Sequence, residues 1–230
     1  MKSIFFTIIA LLFTTICYAQ DTVERKNRLT DSVIERFYVR KENDKINQGP
    51  YKAFFKRRTL IATGNYNNNK RIGLWHFYST KGRLIEKFNY DANKLTYEAA
   101  LDTNTDLSFL FDDKIVKTDT VTRPLKIGGS YYGFIPYVNA FQVPFDTMYI
   151  NTDYFEATVE LLISPGGRLA DFKIYIKSDS YRYTHVFSLS PGLFSQADQT
   201  FIPATINKKA VLSRIIIKCD VTGSGRLDFN

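Results

Sequence analysis

The clearest alternation in the chain runs from Ala157 to Ile176. Ala157, Val159, Leu161 and Ile163 alternate with Thr158 and Glu160, and after Ser164-Pro165-Gly166-Gly167 the residues Ala170, Phe172, Ile174 and Ile176 alternate with Asp171, Lys173 and Tyr175. A period of two predicts strands with one buried and one wet face, and the Gly-rich break predicts a hairpin turn. Ile215, Ile217, Cys219 and Val221 share one parity within Val211 to Val221. A third antiparallel strand is expected there, with Cys219 acting as a small core hydrophobe. Tyr131 to Val143 contains Pro136 and predicts at most a broken helix, while Ser190-Pro191 predicts the cap and first position of a short one.

Nearer the start the strands are shorter, more aromatic and repeated. Gly49-Pro50-Tyr51-Lys52-Ala53-Phe54 returns as Gly73-Leu74-Trp75-His76-Phe77-Tyr78 at an offset of 24 residues. Leu60-Ile61 and Leu84-Ile85, Asn65-Tyr66 and Asn89-Tyr90, and Asn69-Lys70 and Asn93-Lys94 keep the same offset. Each unit reads as a hairpin: Tyr51 to Phe55, the turn Lys56-Arg57-Arg58 and Thr59 to Tyr66, then Trp75 to Tyr78, the turn Thr80-Lys81-Gly82 and Leu84 to Tyr90. Successive hairpins in register bury a shared aromatic face. Trp75 is expected in that core, with His76 on the opposite strand face. A leading strand is expected through Val33 to Val39.

A Gly, an aromatic pair, a Gly turn, an aliphatic residue, then Tyr and an Asn-rich turn before Lys resemble the bacterial MORN-like repeat family. The resemblance covers Gly49 to Lys94, with Arg58 standing where the turn Gly is expected. It implies a structural or interaction surface with no reaction of its own. The later half resembles the C-terminal domain of TonB-type proteins. The matching features are the Gly128-Gly129 pair, the hairpin strand Val159 to Gly167, and the stretch from Phe201-Ile202-Pro203-Ala204 to Val211. This resemblance implies docking of an envelope partner, in part by adding an edge strand to a peptide segment.

The expected fold class is thus α+β, mostly antiparallel β: a MORN-like hairpin-repeat sheet, then a small TonB-like domain with a three-stranded antiparallel sheet and one or two short helices. The expected division is a signal peptide over 1–19, an N-terminal tail over 20–30, repeats over 31–96, a connecting segment over 97–123, the TonB-like domain over 124–221 and a C-terminal tail over 222–230. The signal peptide rests on basic Lys2, the apolar run Ile4 to Cys17 and the small residues of Cys17-Tyr18-Ala19 before Gln20. Its removal leaves Cys219 without a partner for a disulfide within the chain.

Composition sharpens the exclusions. Apolar residues make up 44% and aromatics 15% of 230 residues, which excludes disordered and collagen-like chains. With two Cys and two His there is little material for a zinc site or a His-based catalytic array, and no Ser-His-Asp order or phosphate-cradling Gly loop occurs. His185 in Tyr181-Arg182-Tyr183-Thr184-His185 reads as a loop or strand residue. Between Gln20 and Ala100 there are 17 Lys and Arg against 9 Asp and Glu, and beyond Ala100 there are 13 against 14. The basic character therefore belongs to the repeat half.

These features point to a non-catalytic exported binding protein of the bacterial cell envelope, located in the periplasm, at the outer membrane or outside the cell. A cell-envelope protein, associated with an outer-membrane transporter, is the expected partner; neither cofactor nor nucleic acid is expected. Two alternatives stand beside it: an envelope-polymer hydrolase with a carboxylate site outside known motifs, and a repeat protein that binds anionic lipid. Arg57, Arg58, Lys70 and Arg71 are the candidate binding residues on the repeat surface.

Overall fold

The computed structural model describes residues 21–101, 105–146 and 149–229; the expected signal peptide lies outside the described residues. The chain is mostly antiparallel β. Its first part is a seven-stranded meander of β1 (Thr22–Arg28), β2 (Val33–Arg40), β3 (Asn43–Phe55), β4 (Thr59–Asn67), β5 (Lys70–Tyr78), β6 (Leu84–Asn89) and β7 (Lys94–Glu98), each paired to the next. Short turns make this topology cheap, two residues long between β2 and β3 and between β4 and β5. Asn68 and Asn69 adopt positive φ between β4 and β5, a geometry Asn tolerates well. In the β3–β4 turn Lys56 and Arg57 take the left-handed geometry, so the strained position precedes Arg58. Gly49 and Gly73, the paired repeat glycines, both have positive φ.

The second sheet is built from β8 (Leu107–Phe111), β10 (Glu156–Ile163), β11 (Leu169–Ser178), β12 (Tyr183–Leu189), β15 (Ser213–Val221) and β16 (Leu227–Asp228). Its order is β12-β11-β10-β15, with β8 and β16 sharing the far side of β15. The three expected strands lie side by side as β11-β10-β15, but the sheet has six strands rather than three. A small third sheet joins β9 (Val121–Thr122), β13 (Thr205–Ile206) and β14 (Lys209–Ala210). The broken helix is a 3-10 turn over Tyr132–Phe134 running into α1 (Ile135–Asn139), with Pro136 in its first turn. Ser190 caps a 3-10 turn over Pro191–Leu193 in place of the expected short α-helix. Among the described residues no helix is long and apolar enough to cross a membrane.

Three segments depart from the expected division, for one reason. The tail over 20–30 contains β1, which pairs with β2 along seven residues. The connecting segment over 97–123 contains the end of β7 and all of β8, whose partner β15 lies about a hundred residues away in sequence. The tail over 222–230 contains β16 and the buried Phe229. In each case main-chain pairing, with the strand adjacent in sequence for β1 and β16 and with a strand distant in sequence for β8, supplies what local sequence does not advertise.

A single apolar cluster runs from Val33 and Trp75 in the first sheet through Tyr131 to Tyr137 into Val159, Ile174 and Ile217 of the second. The linking segment after β9 is the wedge: Tyr131 meets Phe55 edge-on at 5.2 Å and Phe229 at 4.8 Å, and Tyr132 stacks on Phe77 at 5.8 Å. Polar clasps flank it. Asn139 donates to the Leu29 carbonyl, and Thr222 and Ser224 donate to Asp31. Trp75, the sole Trp, is fully buried, as is Cys219 nearly so on the inner face of β15.

Trp75 lies flat against Gly64 of the neighbouring strand. A Cβ at position 64 would stand 2.2 Å from two indole ring atoms. Replacing Gly64 by Ala should therefore force the indole to move and cost about 1–3 kcal/mol, the usual range for overpacking. Urea unfolding of Gly64→Ala, followed by Trp75 emission, checks this; an unchanged midpoint would show that the indole has room to shift.

Candidate functional site

The inner face of the first sheet carries an aromatic stack with a cation at its centre. Tyr51 stacks on Trp75 at 5.2 Å, and Tyr66 and Tyr90 meet the indole edge-on at 5.2 and 5.7 Å. These are the paired positions of the 24-residue repeat, Tyr51 with Trp75 and Tyr66 with Tyr90. The Arg71 guanidinium lies 4.8 Å from the Trp75 ring centre and donates to the hydroxyls of Tyr90 (2.8 Å), Tyr66 (3.3 Å) and Tyr132 (3.5 Å). Tyr132 donates on to Tyr51 at 2.8 Å, and Tyr51 to the Glu35 carboxylate at 2.7 Å. Arg71 forms no ion pair among the described residues; rings and hydroxyls carry its charge toward Glu35 instead. Burial, reinforced by Tyr132 and Glu35, raises the Tyr51 hydroxyl well above its ordinary range, so the relay stays protonated.

A second group of charges closes the seam between the sheets. Glu86 of β6 is 1% exposed and accepts from the amides of Gly128 (2.8 Å) and Gly129 (3.1 Å). Both glycines have positive φ, and their two successive N–H groups converge on the one carboxylate. Burial pushes Glu86 up to about 7 against the pull of those amides; Glu98 adds to the rise and Arg123 opposes it. Arg123 itself pairs with Glu98. Lys126, 5% exposed, donates to the carbonyls of Ala197 (2.6 Å) and Thr200 (3.2 Å) and sits over the Phe201 ring at 5.0 Å. Burial brings it down to about 8, with Asp198 at 3.9 Å opposing the fall.

Glu86, Glu98, Arg123 and Lys126 share the lining of a solvent-open cleft whose cavity volume is ≈ 60 Å³. That is room for a few waters. Two groups titrating near neutrality in one cleft are the usual raw material of acid–base chemistry. Here Glu86 ties β6 to the segment after β9 and Lys126 ties that segment to the loop over 197–200, and among the described residues no cluster of His, Cys, Asp and Glu could hold a metal ion.

The four candidate residues are not brought together. Arg57 and Arg58 are exposed at the β3–β4 turn, whereas Lys70 is exposed at the start of β5, beyond the opposite end of β4. Nine residues of strand separate those ends, about 30 Å. Arg71, next to Lys70, points inward. Glu86 and Lys126 escaped the sequence reading; the signal for Glu86 was a carboxylate in the parity of the apolar Phe88.

Compared with protein-family models, with curated proteins and with solved structures, the chain matches none of them. The functional reading therefore stands on the residues and their geometry.

The two perturbed groups make stability depend on pH in a defined sense. Glu86 holds its proton more tightly folded (about 7) than its ordinary value of 4.5, so the stabilisation is complete below pH 4.5 and is lost as pH rises through 7. The shift corresponds to about 3 kcal/mol. Lys126 holds its proton less tightly folded (about 8 against 10.5), so its contribution is complete above pH 10.5 and is lost as pH falls through 8. Unfolding midpoints measured from pH 4 to 7 should decline for the natural chain and stay flatter for Glu86→Gln, whatever that variant's absolute stability. Parallel declines would assign the slope to another group.

Proposed function

We propose that the protein is a non-catalytic binding component of the bacterial cell envelope that grips an extended segment of a partner protein along β12. Three features support the reading: the exported character of the leader sequence, the resemblance of Gly49 to Lys94 to MORN-like repeats, and the resemblance of Pro124 to Val221 to TonB-type C-terminal domains. Both resembling families work as interaction surfaces. The single observation that carries the proposal is the state of β12. It pairs on one side only, with β11, and its sequence Tyr183-Thr184-His185-Val186-Phe187-Ser188-Leu189 has no Lys, Arg, Asp, Glu or Pro.

Open edges are normally blunted by charge. The edges of the first sheet follow that rule: β1 carries Glu24, Arg25, Lys26 and Arg28, and β7 carries Lys94 and Glu98. On the far side of the second sheet β8 is shorter, and Arg123 covers its Phe109 ring at 5.5 Å. β12 joins an uncharged sequence to a full seven-residue open edge: every second residue turns its N–H and C=O away from β11, and Val186 is 45% exposed. Main-chain groups of such an edge supply affinity, and the alternate side chains select the partner.

Val186→Lys places a cation on the exposed face of this edge without touching the core. Captured from envelope extract by the natural protein, a specific partner should be lost from the Val186→Lys beads by at least about tenfold, as edge charges block strand addition. Equal capture by both proteins, or none by either, would remove β12 from the account.

A further inference from the structure

The registers of the first sheet line up one residue from each strand into a continuous row. Lys26 of β1 opposes Arg36 of β2, which opposes Lys52 of β3, Thr63 of β4, His76 of β5, Lys87 of β6 and Tyr97 of β7. The adjacent inner row is Glu35, Ala53, Ala62, Phe77 and Glu86, which faces the core, so the row of cations faces outward. Lys26, Arg36 and Lys52 are exposed on three successive strands. Like charges directly opposite one another destabilise a sheet. None of Lys26, Arg36, Lys52 or Lys87 forms an ion pair among the described residues, and the neighbouring outward strand positions hold one carboxylate, Glu24. His76 stands opposite Lys87 in the row, and burial, with the charge of Lys87 adding to it, lowers His76 from its ordinary range.

We propose that this row is a binding track for a linear polyanion, an acidic polysaccharide that crosses the strands of the repeat sheet. The shape of the track selects the occupant. Neighbouring strands stand about 4.8 Å apart, so Lys26 to Lys87 spans roughly 24 Å in single file. Seven strands twisting by about 20° per step turn the face through roughly 120°, which a flexible polymer can follow and a flat membrane surface cannot. Beside the cations Phe54, Leu60, Tyr78 and Leu84 are half-buried, with the Arg36 guanidinium 5.7 Å from the Phe54 ring centre, and offer apolar surface suited to the non-polar faces of sugar rings. The track is separate from β12 and does not depend on it.

Alginate, a linear polycarboxylate of sugar units, is the probe, with binding to the purified protein read by fluorescence anisotropy over a salt series. The ladder variant Arg36→Gln/Lys52→Gln/Lys87→Gln should lose at least about tenfold in affinity and show a salt slope shallower by about 2, since fewer counterions are exchanged. The charge-matched variant Arg57→Gln/Arg58→Gln/Lys70→Gln should lose less than about threefold, because net charge alone acts only at long range. All substituted positions are exposed or half-exposed, and thermal unfolding confirms that both variants fold. Val186→Lys should bind alginate as the natural protein does, which separates this track from the β12 site. Equal losses in the two triple variants, no alginate binding by the natural protein, or binding only to phosphatidylglycerol vesicles would each overturn the proposal.

Discussion

A seven-stranded meander with aromatic side chains along one face is unstable in water until that face is covered, and this constraint organises the molecule. The repeats supply Tyr51, Trp75, Phe77 and Phe88 to one side of the sheet, and they offer each other no second layer. The cover comes from the segment after β9, where Gly128 and Gly129 let the backbone approach closely enough that a Cβ on Gly129 would press on Ile85 and Phe77. Tyr131, Tyr132 and Phe134 then fill the space, and the second sheet closes over their far side. What reads in sequence as two modules is therefore one continuous core.

The same geometry sorts the charges of the basic half. Inside, the Arg71 cation is distributed over ring faces and tyrosine hydroxyls, and Glu86 is met by two main-chain amides; both solutions avoid a bare ion in an apolar layer. Outside, the cations stand in register without ion-pair partners among the described residues, Arg36 resting over the Phe54 ring and the rest facing water. A strand residue's parity thus decides whether its charge becomes a structural clasp or part of a surface field. Net charge, read without parity, hides the difference.

Much of the fold was legible. Strict alternation gave β10, β11 and β15, and identity at a fixed offset gave the two hairpins, because both patterns record one-sided burial directly. The charged β1 was not legible: its sequence has one apolar residue, Val23, and only pairing to β2 makes it a strand. Leu107 to Phe111 is a short apolar run inside the expected connecting segment, and its membership of the second sheet depends on β15, far along the chain. The site was less legible still. Arg71 follows Lys70 in a basic stretch and reads as surface, yet the parity of β5 turns it onto Trp75. The cation row runs through registers broken by bulges near Phe37, Ala53, Thr63 and Phe77, which no inspection of spacing along the chain reveals.

The claim that both sheets share one core is tested most directly by equilibrium unfolding of the whole chain with two reporters. Trp75 emission reports the first sheet, because it is the only Trp and is buried there, and hydrogen exchange at Val159 and Ile217 reports the second. A shared core predicts one coincident transition, with both reporters giving the same midpoint and the same denaturant dependence. Two separated transitions, with Trp75 released while the amides of β10 and β15 stay protected, would contradict it.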